Sequence, residues 1–217
     1  MKIPYLKFLA YSIISGIITI TACSKDEDKS PAAPSTPPSN DFAFLKVGSE
    51  WNYSAAVPGF PFPISDALKC SIIKDLGNNN YEVITSIINM DLSGGGSSSN
   101  RINDTIVWEL VGKQLFQKMS IEDPNPVLLF KSDAQLNESW GPDSAKITVV
   151  GLNETVTVKA GEFKNCFKLQ SAAFMGMEAP GFLYMSIESG LIKIITSMVI
   201  PPSTTPQNVE LTLSSKK

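Results

Sequence analysis

The residues that could carry chemistry in this sequence are three cysteines, Cys23, Cys70 and Cys166, and a set of scattered carboxylates. The sequence contains no histidine. This excludes Ser-His-Asp and Cys-His catalysis and any metal site with an imidazole ligand. We assign no catalytic residue, no metal site and no cofactor from the sequence, and catalysis by carboxylates stays open.

The first of these cysteines closes an amino-terminal apolar run. Lys2 and Lys7 are followed by about 13 uncharged residues at positions 8–20, and Cys23 comes three positions later. A membrane-spanning helix needs about 20 apolar residues, so this run is too short to span a bilayer and is typical of a secretory leader. An ordinary leader that happens to contain a cysteine is the alternative.

The residues Ile20, Thr21, Ala22 and Cys23 resemble, position by position, the cleavage motif of bacterial lipoprotein signal peptides. The resemblance implies that residues 1–22 are removed and that Cys23 becomes the first mature residue, with fatty acyl chains such as palmitate on its sulfur and amino group. Two or three such chains give durable membrane anchoring, whereas one does not.

Residues 23–40 form the expected lipidated cysteine and its tether. Charged residues come first and four prolines follow, a composition that favours an extended, unfolded linker. Ser24 differs from the Asp of the inner-membrane retention signal, which favours the outer membrane. The acidic cluster at 25–28 resembles an export signal of surface-exposed lipoproteins, and a plain hydrophilic spacer explains it equally well.

Residues 41–217 are predicted to form one mainly β domain, because apolar residues alternate with a period of two. Gly112-Lys113 predicts a two-residue hairpin turn, and residues 127–130 are an apolar run of undecided type. About eleven strands and no significant helix are expected, in a strongly curved antiparallel sheet or half-barrel. The predicted strands are 50–57, 67–75, 81–92, 105–111, 114–119, 145–150, 155–159, 167–174, 182–187, 191–200 and 209–213.

Three segments, 45–53, 156–166 and 189–193, resemble sequences of an uncharacterised family of bacterial outer-membrane lipoproteins. Their patterns centre on Trp51, on Ala160-Gly161 and on Gly190, and none contains a catalytic residue. The resemblance implies a curved sheet that looks like the half-barrels of periplasmic lipoprotein carriers. The resemblance therefore indicates a fold more directly than an activity.

Cys70 and Cys166 are the two thiols that remain once Cys23 is acylated. In an exported chain such a pair can form a disulfide that closes a long loop. The alternative is that Cys70, on the apolar face of its strand, is a buried small hydrophobic residue.

Two apolar segments could contact a hydrophobic ligand. The proline-rich loop at 57–63 displays aromatic rings, and a methionine-rich cluster follows residue 173. Methionine is flexible and polarizable, which suits variable apolar ligands, and ordinary core filling is the alternative. The candidate contacts are Phe60, Phe62, Phe174, Met175, Met177, Phe182 and Met185.

The charge balance and these segments define two function hypotheses. The formal charge is −3, and −5 without residues 1–22, which argues against a nucleic-acid partner. The first hypothesis is an outer-membrane-anchored, non-enzymatic module that binds an apolar ligand or an envelope protein. The alternative is a surface protein that binds glycans or processes them with carboxylates, for which aromatic residues would have to line an exposed platform.

Overall fold

A computed structural model of the chain describes residues 42–59, 61–90, 99–172, 180–199 and 205–217. The predicted signal peptide at 1–22 and the tether at 23–40, with Ile20, Thr21, Ala22 and Cys23, lie outside the described residues. Among the residues that are described, the chain forms no helix whose length and apolarity would carry it across a bilayer.

The prediction of a mainly β domain is confirmed. A single antiparallel sheet of twelve strands has the order β6-β5-β4-β3-β2-β1-β12-β11-β10-β9-β8-β7. A one-turn 3₁₀ helix, Asp143–Ala145, is the only helical turn in the described part of the chain. The strands are β1 (Glu50–Ala56), β2 (Ile64–Gly77), β3 (Asn80–Met90), β4 (Ser99–Val111), β5 (Gln114–Lys118), β6 (Val127–Lys131), β7 (Ser139–Trp140), β8 (Ile147–Val158), β9 (Gly161–Ser171), β10 (Gly181–Ser186), β11 (Gly190–Val199) and β12 (Pro206–Lys216).

The sheet curls until it is nearly closed into a barrel, which goes further than the expected half-barrel. Its two edge strands, β6 and β7, are consecutive in the chain. Lys131 at the end of β6 forms an ion pair with Glu138 just before β7. The Phe130 ring on β6 lies edge-on to the Phe167 ring on β9, with 5.0 Å between their centroids. The two edges of the sheet are thereby held near each other.

The number of strands differs from the predicted eleven for two reasons. Predicted strands 145–150 and 155–159 are one strand, β8, because bulges around Gly151 and Asn153 bend the pairing with β9 without ending it. The apolar run at 127–130 is a further strand, β6, and Ser139 with Trp140 forms the short β7. The predicted hairpin turn at Gly112-Lys113 is confirmed, with Gly112 at a φ of 59°.

The core fills the concave face of the curled sheet. Along the strands, buried side chains alternate with side chains that point outward, as the two-residue period of a β-strand requires. The largest side chains with less than 2% exposure are Trp51, Tyr53, Phe44, Phe130, Ile72, Leu115, Leu169, Ile192, Ile194, Leu213, Val83 and Val149.

Two buried polar groups join β1 to the hairpin between β10 and β11. The Trp51 indole Nε1 donates to the Ser189 carbonyl oxygen at 2.8 Å, and the Tyr53 hydroxyl donates to the Leu191 carbonyl oxygen at 2.8 Å. Gly190 lies between these acceptors at a φ of 81°, where a Cβ would be 3.5 Å from both the Phe44 ring and the Trp51 Nε1. These are ordinary contact distances, so it is the positive φ that favours glycine at this position.

We expect Tyr53→Phe to lower the free energy of unfolding by about 1 kcal/mol, because it removes one buried hydrogen bond and little volume. Urea denaturation measures the change. The matched control is Tyr81→Phe, because Tyr81 also packs in the core but has no hydroxyl bond to β11 among those described. Equal losses in the two variants would contradict the assignment.

Candidate functional site

The structure describes three of the seven predicted apolar contact residues. Phe60, Phe174, Met175 and Met177 lie outside the described residues. Phe62 is 78% exposed in the loop between β1 and β2, and Phe182 and Met185 lie on β10. Their positions relative to the sheet decide whether they can share a ligand.

The loop at 57–63 forms one wall of a groove. Prolines at 58, 61 and 63 cannot donate to a neighbouring strand, and Gly59 turns the chain at a φ of 86°. The groove has a volume of about 500 Å³. It is lined by Ala56, Val57, Pro58, Pro61, Phe62, Pro63, Ile195, Asn208 and Glu210.

The floor of the groove is the convex, outer face of β11 and β12. Ile195 pairs with Glu210, whereas its neighbours Ile194 and Thr196 are 1% exposed on the concave side. Since successive side chains of a strand point to opposite faces, Ile195 is an apolar side chain on the outer face. The groove therefore lies outside the barrel.

Phe182 extends this surface onto β10. It pairs directly with Ile195 on β11 and with Gln170 on β9. The Lys168 ammonium lies 4.7 Å from the centroid of the Phe182 ring and 5.8 Å from that of Tyr184, which are cation–π distances. Phe62 and Phe182 thus flank the same outer-face residue, Ile195, from two directions.

Met185 does not lie on this outer surface with Phe62 and Phe182. Two residues before it, Leu183 pairs with Leu169 and Ile194, which are buried on the concave side, and Met185 shares that face and packs against the core. The structure therefore divides the predicted apolar contacts: Phe62 and Phe182 line the outer surface, while Met185 is a core residue.

The Glu210 carboxylate in the groove is paired with a lysine. Lys193 Nζ lies 2.8 Å from Glu210 Oε1, and both side chains are partly exposed. An ion pair in such a position contributes about 1 kcal/mol or less to stability, so its main effect is to place charged groups beside the Ile195 side chain. Across the described ranges, no cluster of three carboxylate or thiol side chains could hold a metal ion.

All three tryptophans belong to the interior. Trp51 is 2% exposed, and Trp108 and Trp140 pack against the buried cluster. The Phe44, Trp51 and Trp108 rings contact one another at centroid distances of 5.7–6.3 Å. The concave face is therefore occupied by side chains, and an indole platform for sugar stacking is not present among the described residues.

Cys70 and Cys166 are both free thiols in the structure. Cys70 lies on β2 between Trp51 and Thr85, whereas Cys166 lies on β9 opposite Glu154. The Cys166 thiol donates weakly to the Phe163 carbonyl oxygen at 3.6 Å. Burial raises the pKa of the Cys70 thiol to about 12 and, together with the Glu154 carboxylate, that of Cys166 to about 11. Both are therefore protonated near neutral pH.

Sequence reasoning proposed Phe62 and Phe182 as ligand contacts but did not name the residues of the groove floor. Ile195, Asn208 and Glu210 lie more than 130 positions after the loop that they face. One local signal was available: Ile195 interrupts the alternation of β11 by placing an apolar side chain on the outer face.

Of the comparisons with protein families, curated proteins and solved structures, the last found a match. No protein-family model matches the chain, and no curated protein matches it. Among solved structures, the chain is similar to one from Parabacteroides distasonis ATCC 8503 that is described as a "putative lipoprotein". The two share 12% sequence identity and a TM-score of 0.46, over 81% of this chain and 98% of the other.

We expect the free energy of unfolding to fall as the pH rises above about 9. The native state retains thiol protons up to pKa values of about 11 and 12, while the unfolded chain releases them near the ordinary value of 9.0. The stabilisation is thus complete below pH 9 and is lost as the pH rises through the native pKa values, by about 1.4 kcal/mol per pH unit for each thiol.

Urea denaturation of the wild type and of Cys70→Ala between neutral and alkaline pH measures this effect, and the variant should show a shallower decline. A thiol assay on unfolded, unreduced protein with Cys23→Ser should find both remaining thiols. Parallel pH curves for the two proteins, or loss of the thiols to a disulfide, would contradict the assignment.

Proposed function

We propose that this chain is an envelope lipoprotein, anchored in the outer membrane through acylated Cys23, whose β domain is a non-enzymatic binding module. The proposed ligand is apolar, either a small hydrophobic molecule or an apolar segment of an envelope protein. The lipobox resemblance supports the anchor. The outer-face groove supports the binding activity.

The observation that carries this proposal is the exposure of Phe62 in a groove that also holds the outward-facing Ile195 side chain. A phenylalanine that is 78% exposed leaves most of its apolar surface in water, at a cost that a hydrophobic ligand would remove. The groove volume of about 500 Å³ lies within the usual range for ligand sites, which are mostly apolar with a few polar groups. Glu210 and Asn208 are such groups.

The filled core argues against a ligand site on the concave face of the sheet. Leu169, Ile192 and Leu213 on the concave face have no exposed surface, so a ligand there would have to displace packed side chains. Such packing is costly to disturb. The outer groove needs no such rearrangement, and it is therefore the binding site that we propose.

The glycan hypothesis is less well supported. Sugar-binding surfaces stack rings on exposed aromatic side chains, and here the indole rings of Trp51, Trp108 and Trp140 all pack with the core. No close set of carboxylates stands out as an acid and base pair in the described groove, where Glu210 is paired with Lys193.

For the anchor, we expect the protein expressed in its bacterial host to partition into detergent and to yield a mature amino-terminal peptide beginning at Cys23 with added acyl mass. Cys23→Ser should remove that mass and shift the protein to the aqueous phase, because the acyl chains supply the membrane affinity. Mass spectrometry of the amino-terminal peptide makes the measurement. An intact leader in the wild type would contradict the proposal.

For the groove, we expect brominated fatty acids to quench the fluorescence of a Phe62→Trp variant. The wild type is the control, because its tryptophans lie in the core and should stay unquenched. Adding Ile195→Ser should weaken binding about tenfold through lost apolar contact, while Val111→Ser, at an exposed apolar residue elsewhere, should not. Equal quenching of wild type and Phe62→Trp would contradict this site.

A further inference from the structure

The described chain begins at one end of the barrel, where several strand ends meet. Phe42 and the turn that follows it lead directly into β1. Gly48 N donates to the carbonyl oxygen of Ile72 within β2, at 2.9 Å, and Lys217 N donates to the Glu50 carbonyl oxygen at 3.0 Å. The first turn, β2 and the carboxyl-terminal residue are thus joined to one another and to β1 by backbone hydrogen bonds.

This end carries an exposed surface that is both basic and apolar. We define the anchor-end patch as Lys46, Val47, Ile73, Lys216 and Lys217. Val47 is 54% exposed and Ile73 is 42% exposed, and the three lysines are exposed as well. Val47, Ile73 and the three lysines lie at the same end of the sheet, in a protein whose overall charge is negative.

The lysines of the patch are close enough to interact. Partial burial lowers the pKa of Lys216, the positive charge of Lys46 lowers it further, and Glu188 partly offsets this. The other nearby carboxylate, Glu50, is engaged by Lys69 at 2.9 Å. The Lys216 Nζ donates to the Glu188 carbonyl oxygen at 3.3 Å and to the Ser189 hydroxyl at 3.1 Å. None of the ion pairs in the described part of the chain includes Lys46, Lys216 or Lys217, so these three charges can pair with an external anion.

The groove lies at the other end of the same strands. β1 runs from Glu50 beside the patch to Ala56 in the groove, and β12 runs from near Asn208 in the groove to Lys216 in the patch. Seven residues of extended strand separate the two by about 20 Å. A surface that contacted the patch would leave the groove open on the far side.

We infer that the anchor-end patch docks on the anionic headgroups of the bilayer that holds the acyl chains, so that the groove faces away from the membrane. This inference rests on the proposed lipidation of Cys23. Val47 and Ile73 enter the interface between headgroups and acyl chains, and the lysines pair with lipid phosphates. Lysine clusters beside a membrane anchor bind anionic lipid in this way.

The chain itself indicates the bilayer as the occupant. Cys23 lies 19 positions before Phe42, and Phe42 is where the described chain enters this end of the barrel. The tether therefore joins the domain at the end that carries the patch. Tethering raises the effective concentration of the patch at the bilayer, so weak individual contacts suffice.

The test is co-sedimentation of the unacylated mature chain, residues 23–217 with Cys23→Ser, with lipid vesicles. We expect binding to vesicles containing phosphatidylglycerol and little binding to phosphatidylcholine alone. Binding should weaken as the salt concentration rises from about 0.05 M to about 0.3 M, because screening shortens the range of the attraction.

Lys46→Glu with Lys217→Glu should reduce binding to the anionic vesicles about tenfold or more, since each lysine near such a surface contributes measurably. The matched control is Lys146→Glu, which makes the same charge change at an exposed residue just before β8, at the groove end of the sheet. Circular dichroism confirms that each variant is folded.

Equal binding of the wild type and the double variant, or no binding to phosphatidylglycerol, would overturn the inference. Retention on a soluble polyanion such as heparin, without binding to vesicles, would also overturn it and indicate a polyanionic partner. Because the assay uses neither the acyl chains nor the groove, its failure is distinguishable from failure of the lipidation or of fatty-acid binding.

Discussion

A sheet with one apolar face must cover that face, and this chain has no helix in its described part to do so. In the described part of the chain, the apolar face of the sheet is therefore buried against another part of the same sheet. The curvature that follows brings β6 near β9 and places Phe130 against Phe167. The hydrogen bonds from Trp51 and Tyr53 to the β10–β11 hairpin fix the same closure with polar contacts. Burial of the concave face is therefore the constraint on which the rest of the structure depends.

Burial of the concave face limits the surfaces on which a ligand could bind. Because aromatic and branched side chains fill the concave face at close packing, the interior is a core. In the described part of the chain, the groove beside Phe62 on the outer face has room for a ligand. In our proposal, this groove is the ligand-facing end of the domain, and the lysines at the other end of the same strands face the membrane.

Much of the fold could be predicted from periodicity. The alternation around Trp51 and Tyr53, the Gly112 turn and the close approach at Gly190 are local features, and local spacing is enough to identify them. The prediction of two separate strands within β8 was wrong. The residues around the bulge at Asn153, whose φ is 60°, have the composition of a turn, but the strand continues through them. The floor of the groove was missed because strand order brings residues 57–63 beside Ile195 and Asn208, and nothing in the sequence specifies which distant strands become neighbours.

The most direct test of the central claim is a methyl NMR titration of the unacylated domain with a fatty acid. We predict that chemical-shift changes concentrate at Val57 and Ile195 in the groove, while the methyl signals of Leu169, Ile192 and Leu213 in the core stay in place. Large shifts of the core methyls with little change at Val57 and Ile195 would show that the ligand enters the barrel, and would contradict the account.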